Sequence, residues 1–215
     1  MKGEQVDIAV VDPVLVKALA ERADRNLSRP CCLTFYGESA SGKTVTSSAL
    51  VKELQGRGLN VVFVQMDDYF KLPPRQNQAQ RAGDINHVGP DEVNIDVIDK
   101  HIKRIKNGAK ELSMPQVDFV QSVVRPVSRT FDTPVDFIVA EGTYLYLLEN
   151  DDLKFFITRS YHQTLEDRQR RDREPMTDLN MKTLEIEHRI VQSQRDKADY
   201  IIDERFRLRR QKANA

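Results

Sequence analysis

Apolar residues along this chain follow two patterns. Short solid runs at Cys31–Tyr36, Val61–Met66, Asp136–Ala140 and Leu153–Thr158 read as strands buried on both faces, with Tyr200–Ile202 as a last one. Between them the apolar positions take helical spacing. Asp12 and Pro13 start a helix whose face is Val14, Leu15, Ala18 and Leu19, and Arg29-Pro30 ends it. A second helix runs from Lys43 to about Gln55 and is closed by Gly56 and Gly58. A third spans 94–107 through Ile95, Val97, Ile98, Ile102 and Ile105, and residues 161–173 and about 181–197 read as two more. The segment 71–90 is polar and broken and reads as a mobile loop, while 111–127, edged by Pro115 and Pro126, reads as an irregular hairpin.

Strands that alternate with helices call for a mostly parallel sheet covered on both faces, a three-layer α/β sandwich. At 215 residues the chain is expected to form one domain, 1–215, with a helical extension at 1–30, an insertion at 71–125 and a lid at 161–180. The extension has two open roles, extra core or a contact in a homo-oligomer.

Composition narrows the function. Thirty-three basic residues balance 33 acidic ones, which removes the electrostatic argument for a nucleic-acid or membrane-surface partner. The basic cluster Arg205, Arg207, Arg209, Arg210 and Lys212 reads as a solvated end. No apolar run approaches the ~20 residues of a membrane span. Cys31 and Cys32 are neighbours in a strand and point to opposite faces, so they are poor disulfide partners; with no signal-peptide layout at the start, a cytoplasmic location is expected. His87, His101, His162 and His188 show no metal-ligand spacing with them.

The chemistry enters at Gly37-Glu38-Ser39-Ala40-Ser41-Gly42-Lys43-Thr44, a full match to G-x-x-x-x-G-K-[ST]. The glycines let successive N–H groups turn into one anion-sized nest, and the helix that follows adds its N-terminal dipole. Lys43 is expected to reach the β- and γ-phosphates of ATP and the Thr44 hydroxyl to ligate Mg²⁺. The motif follows an apolar strand and opens a helix, as the P-loop requires. None of the nine glycines has an aspartate three residues before it, and N-K-x-D is absent, so a switch GTPase is excluded.

A small-molecule kinase needs three further parts, and the chain offers a candidate for each. Asp67 follows the strand 61–66 and therefore lies at the carboxyl edge of the sheet, where it can accept the proton of an attacking hydroxyl and touch the metal sphere; Asp68 competes for that role. Glu141 ends the strand before Gly142 and fits a Mg²⁺ contact or a helix cap. Arg168 and Arg171 share a helix face ahead of the break at 175–180, so they belong to a lid or to a solvated helix face. A P-loop regulator or an ATPase with no small-molecule acceptor is the alternative.

These pieces together resemble the uridine kinase and phosphoribulokinase branch of P-loop kinases. The resemblance is carried in order by GESASGKT at 37–44, MDDYFK at 66–71, NHVGPDEVNID at 86–96, MPQVDFV at 114–120, VAEG at 139–142, RQRRD at 168–172 and KADYIID at 197–203. It implies a P-loop fold and transfer from ATP and Mg²⁺ to a hydroxyl of a nucleoside or sugar-like acceptor. It further implies Asp67 as base, Thr44 and Glu141 near the metal, Arg168 and Arg171 in the lid, and Phe70, Asp118 and Phe119 along the acceptor pocket. The chain departs from the uridine kinase pattern at four places: Val88 stands where an acidic residue holds ribose, Val117 where a tyrosine reads the base, Ser122 where a histidine does, and Phe70 where the family has a tyrosine. The phosphate chemistry carries over better than the acceptor.

Overall fold

The computed structural model describes residues 11–23, 28–165 and 177–211. Five parallel strands and one antiparallel strand form its main sheet, in the order β2-β5-β1-β6-β7-β8. They are β1 (Cys31–Gly37), β2 (Val61–Gln65), β5 (Phe137–Glu141), β6 (Leu153–Ile157), β7 (Tyr200–Ile202) and β8 (Leu208–Arg210). The intervening β3 (Glu111–Asp118) and β4 (Val123–Thr130) make a separate hairpin. Helices α1 (Pro13–Ala23), α2 (Lys43–Gly56), α3 (Pro74–Gly83), α4 (Ile95–Lys106) and α5 (Asp178–Gln192) cover the sheet and its loops.

The central strand β1 is buried at every position, and its alternation divides the core. Cys31, Leu33 and Phe35 face a cluster with Leu15 and Leu19 of α1 and Leu50 and Leu54 of α2. Cys32 and Tyr36 face the opposite cluster with Ile98, Ile102 and Ile105 of α4 and with Leu112 and Met114 of the hairpin. The solid apolar runs of the sequence are thus the product of helices on both sides. Both thiols are buried and free, and burial, with a smaller push from Asp152, drives the Cys31 thiol up to about 12, which keeps it out of thiolate chemistry.

Four expectations change. The 71–90 segment is not an open loop: it holds α3 and two short 3-10 turns at Ile85–His87 and Pro90–Glu92. Only Asn77 of α3 is buried, so the helix carries no apolar stripe for periodicity to find. The hairpin pairs without a bulge from Glu111↔Thr130 to Asp118↔Val123, with Pro115 opposite Pro126. Val14 is 74 % exposed, because the buried stripe of α1 runs through Leu15, Leu19, Ala20 and Ala23. The basic end folds back as β8 onto β7, with Tyr200↔Arg210 in register. Among the described residues no helix is long and apolar enough to cross a membrane.

Candidate active site

In an open parallel sheet, ligands meet the carboxyl ends of strands where the chain leaves the centre in two directions. Here that point is the end of β1, flanked by β5 on one side and β6 on the other. The loop from Gly37 to Thr44 leaves β1 there and enters α2. Gly42 adopts φ 106°, a left-handed conformation that disfavours any side chain, and a Cβ on it would also meet the Phe206 ring at 3.0 Å. Lys43 is buried, and its Nζ donates to the Glu38 carbonyl at 2.8 Å, so the ammonium is folded over the loop it serves.

The ends of the neighbouring strands converge on this loop. The Thr44 hydroxyl donates to Glu141 Oε1 at 3.0 Å, and Gln65 Nε2 donates to the same oxygen at 3.2 Å. Register explains the meeting, since Glu141 pairs with Phe35 of β1 and with Gln65 of β2. Directly after it, a Cβ on Gly142 would lie 2.1 Å from the Met66 Cβ. Only glycine permits that approach, and it presses the 3-10 turn Met66–Tyr69 against the end of β5.

That turn separates the two candidate bases. Asp68 is buried and its Oδ1 accepts the Val117 N–H at 2.9 Å, which makes it the anchor of the hairpin. Asp67 is exposed, one residue past the end of the apolar run that forms β2. Protein atoms nonetheless crowd it, and this dehydration, followed by the facing Glu141 carboxylate, pushes its pKa up to about 7 against the pull of the Lys43 ammonium. The Asp67 and Glu141 carboxylates and the Thr44 hydroxyl are hard oxygen donors of the kind Mg²⁺ takes together with water and substrate phosphates. The residues present therefore fit the ion. Among the described residues no cluster of three or more acidic, histidine or cysteine side chains forms a cage, so such an ion would draw its other ligands from water and nucleotide.

Past the Met66–Tyr69 turn, Phe70 bridges to Val93 and the Lys71 N–H donates to the Glu92 carbonyl at 2.8 Å. Glu92 is fully buried. Its carboxylate takes the Arg81 guanidinium in a two-pronged contact, the Asn77 amide at 2.9 Å and the Gly89 N–H at 3.0 Å. Asp118 and Phe119 sit at the end of the hairpin, where Asp118 Oδ1 accepts the Gln121 N–H and Phe119 is 47 % exposed. The Ser122 hydroxyl accepts the Arg75 N–H at the start of α3, and Val88 and Val117 are buried. Arg168 and Arg171 lie outside the described residues.

Two acidic residues gain contacts that the loop motif did not specify. Glu38 is buried and its carboxylate accepts the Tyr161 N–H at 2.7 Å, His188 Nδ1 lies 2.8 Å from it and Gln192 Nε2 donates at 2.6 Å. Glu187, on the same helix α5, accepts the Ser39 N–H. The loop motif leaves positions 38 and 39 free, so only the fold reveals that α5 clamps them. Beyond His188 and Gln192, a polar cavity of about 420 Å³ opens between Thr158, Ser160, Asp203 and Arg209.

Residues 33–204 match the phosphoribulokinase / uridine kinase family. A uridine kinase of Staphylococcus epidermidis is 28% identical over 128 residues, a match that takes in 60% of this chain and 58% of that protein. The alignment thus spans under two thirds of the relative's length. Among solved structures, one described as a possible uridine kinase from Bacillus stearothermophilus superposes with a TM-score of 0.60 at 17% identity, covering 87% of this chain and 97% of the other. The phosphoribulokinase from Rhodobacter spheroides superposes with a TM-score of 0.61 at 10% identity, covering 80% and 69%. Both have the same mostly parallel sheet with helices on its faces.

Proposed function

Because this chain belongs to the phosphoribulokinase / uridine kinase family, we propose that it is an ATP-dependent phosphotransferase that moves the γ-phosphoryl group onto a hydroxyl of a nucleoside or sugar-like small molecule. The observation that carries this reading is the position of Asp67. It is exposed at the carboxyl edge of the sheet, while Asp68 beside it is consumed by the hairpin. A protein that only bound ATP would need neither the exposed Asp67 nor the added α3, the 85–92 turns and the hairpin.

In this mechanism the amides of 37–44 receive the triphosphate, and Lys43 exchanges the Glu38 carbonyl for phosphate oxygens. The nucleoside end of ATP lies towards the polar cavity beyond His188 and Gln192. Thr44, Glu141 and Asp67 would hold Mg²⁺, which when bound offsets charge on the phosphates. Asp67 orients the acceptor hydroxyl for in-line attack and takes its proton as the new P–O bond forms. The sequence spacing assigns Arg168 and Arg171 to the equatorial oxygens, where they would also help exclude water. The whole of 1–215 acts as one kinase domain in the cytoplasm, and two buried free thiols suit that reducing compartment.

The test is ADP release with Mg²⁺-ATP across nucleosides, pentoses, sugar phosphates, pantothenate and glycerate, with Lys43→Ala as the blank. One acceptor is expected to raise turnover well above the water background, and the blank to abolish it. ATP binding with no stimulation by any acceptor would instead point to a regulator or an idle ATPase.

A further inference from the structure

Phe206 adopts φ 54°, a left-handed backbone that a bulky residue rarely takes. The turn from Asp203 to Arg207, between β7 and β8, imposes it. The Phe206 N–H donates to the Asp203 carbonyl at 2.8 Å, and the Asp203 N–H donates to the Arg207 carbonyl at 3.0 Å. The Asp203 carboxylate fastens the same turn. Its Oδ1 accepts the Arg205 and Arg207 N–H groups at 2.9 and 3.0 Å, and its Oδ2 meets the guanidinium groups of Arg207 and Arg209 at 2.9 and 3.0 Å. Glycine or asparagine takes such a backbone with little strain. A phenylalanine there breaks the local rule, and such breaks call for a reason elsewhere in the fold.

The reason is at the far end of the side chain. A Cβ built on Gly42 would lie 3.0 Å from both Phe206 Cε1 and Cζ, so the tip of the ring rests on the glycine that caps the start of α2. Gly42 is itself left-handed, at φ 106°. Glycine has more backbone freedom to lose than any other residue, and this one joins the loop to the amides of Lys43 and Thr44. The ring is anchored in turn. Phe206 is partly buried and packs on the core cluster that holds Leu50 and Ile202. The Arg159 guanidinium lies over the ring, 5.4 Å from its centroid. A side chain gripped by the core and by a cation thus applies its tip to the most pliable residue of the phosphate loop.

We propose that Phe206 is a positioning residue for the phosphate loop, its ring holding Gly42 in the left-handed conformation that aims the loop amides at a triphosphate. The inference rests only on the nucleotide-binding half of the kinase reading. Phe206 acts through Gly42: it removes alternative backbone states of the loop, so less freedom is lost when phosphates bind. The proposal also gives the basic strand β8 a part in the site. Its pairs Ile202↔Leu208 and Ile201↔Arg209 fix the two ends of the turn, and the turn sets the direction of the ring.

The experiment compares the parent, Phe206→Leu and Phe206→Asn as full chains. Leucine keeps the side chain out to the Cδ atoms and lacks the Cε1 and Cζ atoms that reach Gly42. Asparagine suits the left-handed backbone and removes the ring altogether; Phe206→Leu decides the test should Phe206→Asn fail to fold. Calorimetry is run with Mg²⁺ and the non-hydrolysable analogue AMP-PNP, and again with Mg²⁺ and inorganic tripolyphosphate, which engages the loop without a base. Both variants are expected to bind both ligands about 3- to 10-fold more weakly than the parent, the scale of one glycine's backbone freedom. A lower melting temperature for Phe206→Leu with both affinities unchanged would make the ring a packing residue only, and overturns the inference. So does a loss confined to AMP-PNP, which would make the ring a contact of the base rather than a support of the loop. A parent that binds both ligands but transfers phosphoryl to no acceptor overturns the kinase reading alone, because the affinities decide the inference by themselves. A parent that binds neither ligand overturns both.

Discussion

The Thr44 hydroxyl donates to Glu141 Oε1 at 3.0 Å. One residue opens the helix after the phosphate loop and the other ends the strand beside it, so the bond ties together two elements that are 97 residues apart in sequence. In the proposed mechanism these two oxygen donors would serve Mg²⁺ together with Asp67.

Glu141→Gln keeps the shape of that contact and removes the charge. The Mg²⁺ concentration for half-maximal ADP release is expected to rise about 10- to 100-fold, as when a metal-orienting group is lost. A magnesium titration at fixed ATP checks this, and an unchanged midpoint would separate Glu141 from the metal.

Asp67 makes stability depend on pH in a definite direction. Dehydration by the protein atoms around it, followed by the Glu141 carboxylate, raises its folded pKa to about 7 from an ordinary 3.8. Folding therefore favours the protonated form. The associated stability is fully present below about pH 4 and is lost as pH rises towards 7 and past it. Asp67→Asn lacks that penalty. Its melting temperature is expected to exceed the parent's most at pH 8, with the gap narrowing steadily as pH falls towards 4, measured without nucleotide or metal. A difference that grew on acidification would contradict the electrostatics of the cleft.

Gly142→Ala should disturb both packing and chemistry. The added methyl would meet the Met66 backbone-proximal Cβ at 2.1 Å, and no rotamer of Met66 relieves that contact. The expected cost is about 1–3 kcal/mol in urea unfolding. Because Met66 leads directly into Asp67, turnover should fall further than the loss of folded protein accounts for.

The phosphate loop and the strands around it were readable because each is a local pattern. A fixed glycine spacing follows a solid apolar run, and the run is solid because α1, α2 and α4 cover both faces of the sheet. Asp67 and Glu141 were readable for a related reason, as acids at strand ends in a parallel sheet. The choice between Asp67 and Asp68 was not, since it depends on the Val117 N–H some 49 residues away. Helix α3 was hidden by its polarity: it is held by Asn77 on Glu92 and by Gln78 Nε2 on Asn180 Oδ1, contacts that have no period. Glu187 escaped for the same cause: it is one acid among several in its segment, and only the packing of α5 against the phosphate loop sets it apart. Glu38 falls inside the phosphate-loop motif, but its contact with Gln192 of α5 depends on that same packing.

The account stands on Asp67 as the group that takes the acceptor proton, and Asp67→Asn reads this most directly. Nucleotide affinity and turnover are to be measured on the same preparation, with the acceptor that drives the parent. The account predicts nearly parental ATP binding and a turnover lower by about 10²–10⁴, the worth of a general base. Near-normal turnover, or a loss of ATP affinity as large as the loss of rate, would contradict it.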